Sequence, residues 1–217
     1  MGLGEEVAAP VPGHLWSKIK GLHAGGGHVI FVTGNSCRAV PAAPEDRLDP
    51  TKLASEIDAA FKSRARLYKN LLDALTAELG RARAETVLAA AIEKRGEEAG
   101  RKLFGDLKTP TAAQAADAFL AVSPAEGTLF PHARAQDGAG GVTISVSRCP
   151  LLEAWREDGL PDSEIETLCR IAGRFDNGCF GAAGIGFAAE TWAPGKDGCC
   201  TLYLGPAAPA PRASGKR

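Results

Sequence analysis

The chain has 217 residues, of which 45% are hydrophobic and 24% charged, and its formal net charge at pH 7 is −1. This composition is typical of one globular domain, or of one domain with an extension, and a charge near zero argues against a nucleic-acid binder. No apolar run is long enough to span a bilayer, and the N-terminus lacks the pattern of a secretory signal. We therefore expect a cytoplasmic protein with neither a nucleic-acid nor a membrane partner.

Six cysteines in a chain of this length are too few for a disulfide scaffold, so we expect free thiols. They form no C-x-x-C pair, and no histidine follows them at ligand spacing, so the sequence predicts neither a metal site nor a cofactor. Cys199 and Cys200 are adjacent. If they lie on a strand, their side chains point to opposite faces, which argues against the two thiols binding one metal ion together.

The composition divides the chain into three parts. Residues 1–46 are rich in Ala, Pro and Gly, and only His28–Val32 is typical of a strand. We expect a loosely ordered extension there, the alternative being an arm that packs on the body or on a partner subunit. Residues 47–205 are expected to form a single catalytic domain, and residues 206–217 a disordered tail.

Helical patterns come first in residues 47–205. A helix is expected to begin at Asp49–Pro50 and to end at Gly80, because these residue types suit a helix start and stop. A second helix follows, and a third begins after Thr109–Pro110. The apolar stripe predicted for the second helix comprises Val87, Leu88, Ala91, Ile92, Ala99 and Leu103.

Further along, residues 142–147 alternate as a half-buried strand does, and Pro150 opens a short helix. A helix with a capping box at 163–166, or with Asp162 as its N-cap, comes next. A turn is predicted at 176–178, followed by two strands, 185–192 and 199–204, joined as a hairpin. Helices followed by mostly antiparallel strands predict an α+β fold, with the N-terminal helices packed on a small sheet.

Cys149 lies directly after the predicted strand and directly before Pro150, the first residue of a helix. The positive end of the helix dipole and free backbone N–H groups stabilise a thiolate there, which makes the cysteine a candidate nucleophile. Arg148 beside it adds positive charge. The alternative is a cysteine that acts only as a small helix cap or core residue.

Two further residues allow a structural and a functional interpretation. Cys169 lies on the apolar stripe of its helix, where a thiol usually behaves as a small hydrophobic side chain. Asp176 falls at the predicted end of that helix, where the dipole disfavours an acid. It either forms the turn or serves as a functional carboxylate.

Other candidates carry weaker signals. Cys200 is expected to face the core or a pocket, and Tyr68 lies on an apolar helical stripe. His132 stands in a predicted loop, and the scarcity of histidines argues against a Cys–His catalytic pair. Arg64 and Arg66 could bind a carboxylate, although exposed helical arginines are usually solvated. The glycine-rich residues 181–186 follow no strand and open no helix, so they are not a nucleotide site.

Taken together, several motifs resemble the L-2-amino-thiazoline-4-carboxylic acid hydrolase family. They are Arg66-Leu67-Tyr68, Cys149-Pro150-Leu151-Leu152-Glu153-Ala154-Trp155, Leu168-Cys169, Asp176 and Gly198-Cys199-Cys200-Thr201-Leu202-Tyr203. The resemblance spans about residues 50–205 and leaves the N-terminal part unexplained.

The resemblance implies a hydrolase that opens a small cyclic amidine and acts on its carbon–nitrogen bond, giving an N-carbamoyl-cysteine type of product. Cys149 would add to the amidine carbon, Asp176 would hold the amidine and orient water, and Cys169 would be a second thiol. An arginine, Arg148 or Arg170, would bind the substrate carboxylate. The predicted substrate contacts are Arg148, Tyr68, Trp155, Cys200 and His132.

Two other functions stay open. The same Cys–Cys–Asp group could act as a lyase on a carbon–sulfur or carbon–metal bond. Alternatively, the protein could be a non-enzymatic sensor of small molecules or metals, with Cys149, Cys169 and Cys200 as soft-metal ligands. In each case the partner is a small molecule, and a homo-oligomer is also compatible with the sequence.

Overall fold

The structure, a computed structural model, describes residues 49–107 and 110–205 in full and the backbone of two earlier strands. Those strands, β1 (His28–Thr33) and β2 (Ser36–Pro41), pair antiparallel. The strand predicted at His28–Val32 is therefore confirmed, whereas β2 was not predicted. The remaining predictions for residues 1–46 and 206–217 lie outside the described residues. By its contacts the chain divides into two units, 1–47 and 48–217.

The second unit joins helices to a four-stranded sheet. Its helices are α1 (Pro50–Leu79), α2 (Arg81–Phe104), α3 (Ala112–Ala121), α4 (Pro150–Glu157), α5 (Asp162–Ala172) and α6 (Arg174–Ala182), with a 3-10 turn at Pro124–Gly127. Its strands are β3 (His132–Gln136), β4 (Val142–Val146), β5 (Gly186–Glu190) and β6 (Thr201–Gly205). The sheet order is β3-β4-β6-β5, and all neighbours are antiparallel. The predicted α+β fold is confirmed. None of the described helices has the length and apolar character required to cross a membrane.

The ends of α1 follow from its sequence. The Asp49 carboxylate accepts a hydrogen bond from the backbone N–H of Thr51 at 2.9 Å, and Pro50 is the first helical residue. Gly80 ends the helix with φ of 75°, a conformation that strains other residues. α2 therefore begins at once, and the two long helices are joined by a single residue.

The buried face of α2 differs from the predicted stripe. It follows a four-residue spacing and comprises Ala84, Leu88, Ile92, Gly96, Gly100 and Phe104, while Ala91 is exposed. The difference arises because glycine gives no hydrophobic signal and yet permits the closest backbone contact. A Cβ atom at Gly96 would lie 2.0 Å from the carbonyl oxygen of Phe175, and one at Gly100 would lie 2.2 Å from that of Cys179. α2 and α6 thus pack backbone against backbone.

This contact predicts a large effect of one methyl group on stability. In Gly178→Ala the new Cβ would lie 2.0 Å from the carbonyl oxygen of Glu93, and we expect a loss of about 3 kcal/mol as α6 is displaced. Gly181→Ala, in the same helix, meets nothing within 4 Å and should be neutral, or stabilising by up to about 1 kcal/mol. Urea unfolding of both variants is the measurement. Equal midpoints would contradict the close packing.

Among the described residues, the hydrophobic core consists of two clusters. One lies among α1, α2, α4 and α5 and includes Leu72 and Trp155, and the other lies among α3, α6 and the sheet and includes Ile144 and Phe180. Val146, Phe175 and Cys200 are partly buried against both clusters. The clusters therefore meet beside the strand-to-helix junction at 147–149.

Several predicted boundaries shift in the structure. α3 begins two residues later than expected, with Thr111 and Gln114 forming a capping box. α5 starts without the predicted side-chain cap, since Pro161 holds its N-cap position. β3 was not predicted, because all five of its residues are exposed and carry no apolar alternation.

Candidate active site

A cavity of about 350 Å³ opens where the two core clusters meet. Seven of the eight predicted site residues line it, namely Tyr68, His132, Cys149, Trp155, Cys169, Asp176 and Cys200. These residues come from four helices, the first strand of the sheet and the segments that flank β4 and β6. The fold thus brings together side chains that are as far as 132 positions apart along the chain (68 to 200).

Cys149 occupies the N-cap position of α4, with extended backbone (φ −143°, ψ 120°) and Pro150 as the first helical residue. The predicted strand-to-helix placement is confirmed. A hydrogen bond from the Cys199 thiol, aided by the N–H groups of Leu151 and Leu152, outweighs burial and lowers the pKa of Cys149 below its ordinary value. This environment favours a thiolate at Cys149.

Cys199 and Cys200 lie side by side, with their sulfur atoms 3.4 Å apart, and both line the cavity. The prediction that they point to opposite faces is wrong. Val146 donates its N–H to the carbonyl oxygen of Cys200 and accepts from the N–H of Cys199, so two residues face one as in a β-bulge. The bulge directs both thiols to the same side, and it makes Cys199 a site residue that the sequence analysis missed.

Two thiols near Cys149, those of Cys169 and Cys199, have raised pKa values. Burial raises the pKa of Cys169, and the nearby sulfur atoms of Cys200 and Cys149 raise it further. The hydrogen bonds that Cys199 makes with Cys149 and Cys200, together with burial, raise the pKa of Cys199 well above its usual value. Of these three thiols, Cys149 therefore ionises most readily, and Cys199 is its hydrogen-bond donor.

Removing the Cys199 thiol should make Cys149 less acidic. We expect Cys199→Ala to raise the pKa of Cys149, since a charge-assisted hydrogen bond from Cys199 stabilises the thiolate. The measurement is the pH dependence of alkylation of Cys149 by iodoacetamide, followed by peptide mass spectrometry. The matched control is Cys179→Ala, at a buried thiol outside the cavity. If both variants gave the same pH dependence of alkylation, Cys199 would not be the hydrogen-bond donor to Cys149.

Asp176 lies in the first turn of α6, and the turn predicted at 176–178 is wrong. Gly173, between α5 and α6, separates the two helices instead, and Gly178 is a helical glycine required by the contact with α2. Loss of water around the carboxyl group raises the pKa of Asp176 to about 7. Its charge in turn raises the pKa of Cys149, so protonation of Asp176 favours the thiolate form of Cys149.

Trp155 and Tyr68 form part of the cavity wall. The indole N–H of Trp155 donates to the carbonyl oxygen of Ala65 at 2.9 Å, and the side chain is buried, which fixes α4 against α1. Burial raises the pKa of the Tyr68 hydroxyl, while the charges of Arg64 and Arg95 oppose that shift. His132 begins β3 rather than standing in a loop, and its Nδ1 lies 2.9 Å from the carbonyl oxygen of Phe130.

The arginines are distributed differently from the expectation. Arg148 does not line the cavity, because its guanidinium group is paired with Asp58 at 2.8 Å and Glu153 at 2.6 Å. Arg170 is paired with Glu85 at 2.9 Å and also lies outside the cavity lining. Arg64 lines the cavity instead. The pairing of Arg148 with Asp58, 90 positions away, gives no signal in the local sequence.

Two further findings concern the other surface depression and possible metal ligands. A second, more open depression of about 370 Å³ is lined by Thr111 and by small or apolar residues, so it has no acid–base side chain. Within 49–107 and 110–205, no group of three or more His, Cys, Asp or Glu side chains is arranged to hold a metal ion. The thiols of Cys149, Cys169 and Cys200 therefore do not form the ligand set that the metal-sensor alternative requires.

Comparison with known proteins identified one family. The family model described as L-2-amino-thiazoline-4-carboxylic acid hydrolase matches residues 60–203, which include every cavity-lining residue named above. Searches of the curated proteins and of the solved structures found no significant match.

Proposed function

The chain belongs to the L-2-amino-thiazoline-4-carboxylic acid hydrolase family, and from this premise we propose that it hydrolyses a small cyclic amidine with Cys149 as the nucleophile. One observation supports this proposal above the others. In a single cavity, a thiol whose pKa is lowered stands near a carboxyl group whose pKa is about 7. That pair supplies a nucleophile together with a group able to donate and accept a proton near neutral pH.

The reacting atom is the ring carbon between sulfur and nitrogen, which is electrophilic, particularly when the amidine is protonated. The Cys149 thiolate adds to this carbon and forms a new carbon–sulfur bond, while the ring nitrogen takes the electron pair. The tetrahedral intermediate is neutral. The low-polarity walls of the cavity favour this step because two opposite charges are consumed.

Asp176 then acts as an acid. The bond between the former amidine carbon and the ring sulfur breaks, and the sulfur leaves with the Asp176 proton. Cys149 now carries an S-linked isothiouronium group, and Asp176 is a carboxylate. In the second half, Asp176 takes a proton from water as the water adds to the same carbon, and Cys149 departs as a thiolate. The product is an N-carbamoyl thiol, and the proton of the amidine passes to solvent.

In this sequence of steps the ring opens at a carbon–sulfur bond. Opening at the ring carbon–nitrogen bond would instead give an S-carbamoyl product with a free amine, whereas the resemblance implies an N-carbamoyl product. A thiol reagent added after incubation with 2-amino-thiazoline-4-carboxylate distinguishes the two. We expect one free thiol per turnover. Turnover that releases an amine and no thiol would overturn the proposed order of bond breaking.

The lyase alternative is separated by the fate of water. A hydrolase incorporates one oxygen atom of water into the carbamoyl group of the product, whereas a lyase that protonates carbon incorporates none. We expect turnover in oxygen-18 water to give fully labelled product. Unlabelled product would favour the lyase.

A further inference from the structure

Apart from its four cysteines (Cys149, Cys169, Cys199 and Cys200), the cavity wall is largely hydrophobic. It includes the side chains of Phe61, Phe119, Leu120, Val122, Phe130 and Phe175. The rings of Phe61 and Phe130 meet edge to face, with centroids 5.1 Å apart and an interplanar angle of 78°. A volume of about 350 Å³ falls within the range of roughly 300–1,000 Å³ typical of sites for larger organic ligands. A bare aminothiazoline carboxylate, a single five-membered ring, would leave much of this wall facing water.

Arg64 is an exposed residue that lines the same cavity. Its guanidinium carbon lies 4.6 Å from the centroid of the Phe61 ring, and among the described residues it is the one Arg or Lys that lines the cavity. Within the described ranges no carboxylate lies at ion-pair distance from Arg64. The neighbouring Arg66, in contrast, is bonded to Asp158 at 2.8–3.1 Å. Arg64 thus offers an unpaired cation, held by stacking on an aromatic ring.

We propose that this cavity binds elongated carboxylate ligands. The carboxylate pairs with Arg64, and an aryl or alkyl portion of the ligand lies between the Phe61 and Phe130 rings on one side and the cavity cysteines on the other. Resting on the proposed function, this makes the substrate a cyclic amidine with an apolar portion between its reacting carbon and its carboxylate. Arg64 is then a specificity-determining residue, and the Phe61–Phe130 pair sets the preferred length of the ligand.

The charges along the cavity support a carboxylate. Arg64 is an exposed cation, whereas the thiolate of Cys149 is hydrogen-bonded to the buried Cys199 and interacts with the charge of Asp176. A ligand with its negative charge at Arg64 avoids the thiolate and brings the protonated amidine toward it. The reverse orientation would place two negative charges together and leave Arg64 unpaired.

The test uses unreactive ligands, so it does not depend on turnover. Binding of acetate, phenylacetate and 4-phenylbutyrate to the full chain is measured by calorimetry, alongside the uncharged 4-phenylbutyramide. We expect affinity to rise about fourfold for each methylene group that enters the apolar wall. Wild type should prefer 4-phenylbutyrate to the amide by about tenfold, and Arg64→Gln should abolish this preference. Arg66→Gln is the matched control and should retain it, because Arg66 is paired with Asp158.

The outcomes separate this inference from the proposed reaction. Affinity that does not grow from acetate to 4-phenylbutyrate overturns the apolar portion, and an acid-over-amide preference that survives Arg64→Gln overturns the role of Arg64. Both binding measurements can be made even if the protein hydrolyses no amidine. Conversely, Arg64-dependent binding of 4-phenylbutyrate in a protein that hydrolyses no amidine supports the ligand class and refutes the reaction.

Discussion

Cys149→Ala is expected to abolish hydrolysis of 2-amino-thiazoline-4-carboxylate, with kcat falling about 10³-fold or more, because the proposed reaction has no other thiolate. The neighbouring thiols cannot replace it, since the pKa values of Cys169 and Cys199 are both raised. Cys149→Ser should be nearly as inactive, because a serine hydroxyl at a helix N-terminus stays protonated near neutral pH. Steady-state kinetics with purified protein is the measurement.

The control for this prediction is Cys179→Ala. Cys179 is buried in the second core cluster and does not line the cavity, and burial together with the charge of Asp176 raises its pKa to about 12. Its variant should unfold somewhat more easily and turn over as wild type does. The circular dichroism spectrum and Tm of each variant show that loss of activity is not loss of fold. Full turnover in folded Cys149→Ala would rule out covalent catalysis.

Asp176→Asn is expected to lower kcat by about 10²–10⁴-fold, since both proton transfers pass through this carboxyl group. In wild type, kcat/KM should rise as Cys149 ionises and fall as Asp176 loses its proton around pH 7. In Asp176→Asn the remaining activity should lose the fall at about pH 7. A fall that persists in the variant would assign it to another group.

The same substitution should raise stability above neutral pH. The folded-state pKa of Asp176 is raised from 3.8 to about 7, so its contribution to stability is fully present below pH 3.8 and lost as pH rises through 7. An asparagine carries no charge and avoids this loss. We expect the Tm of Asp176→Asn to exceed that of wild type by roughly 3–8 °C at pH 8, and to match it near pH 4.

Asp162→Asn provides the comparison for Asp176→Asn. Asp162 also lies in the first turn of a helix, α5, but its side chain is exposed. Its variant should keep wild-type kcat and the wild-type pH profile. A similar gain of Tm in both variants would show that the helix position, and not the buried site, determines the effect.

Much of this fold was predictable because its elements carry periodic patterns. The start and stop of α1 follow from Asp49, Pro50 and Gly80, and β4 alternates strictly. The elements that were missed lack such a pattern. β3 is exposed at all five positions, and α6 contains Asp-Asn-Gly, a sequence typical of turns, because Gly178 must meet the backbone of α2.

The site was predictable where a residue type and a local position agree. Cys149 follows from a cysteine between a strand and a helix, whereas Cys169 and Asp176 were core and turn candidates until the family resemblance grouped them. Cys199 could not be found from strand alternation, because a β-bulge redirects it. The glycine before it, with φ of 75°, is the signal that could have indicated the bulge.

The central claim, a covalent bond between Cys149 and the substrate, is tested most directly by acid quenching during turnover. The isothiouronium intermediate retains every atom of the ring-opened substrate, so its adduct should add the full substrate mass to the peptide that contains Cys149. We predict that mass on this peptide in rapidly quenched wild type, and on none of the peptides with Cys169, Cys179, Cys199 or Cys200. The proposed mechanism would be contradicted if wild type turned over without forming an adduct and Cys149→Ala kept full turnover.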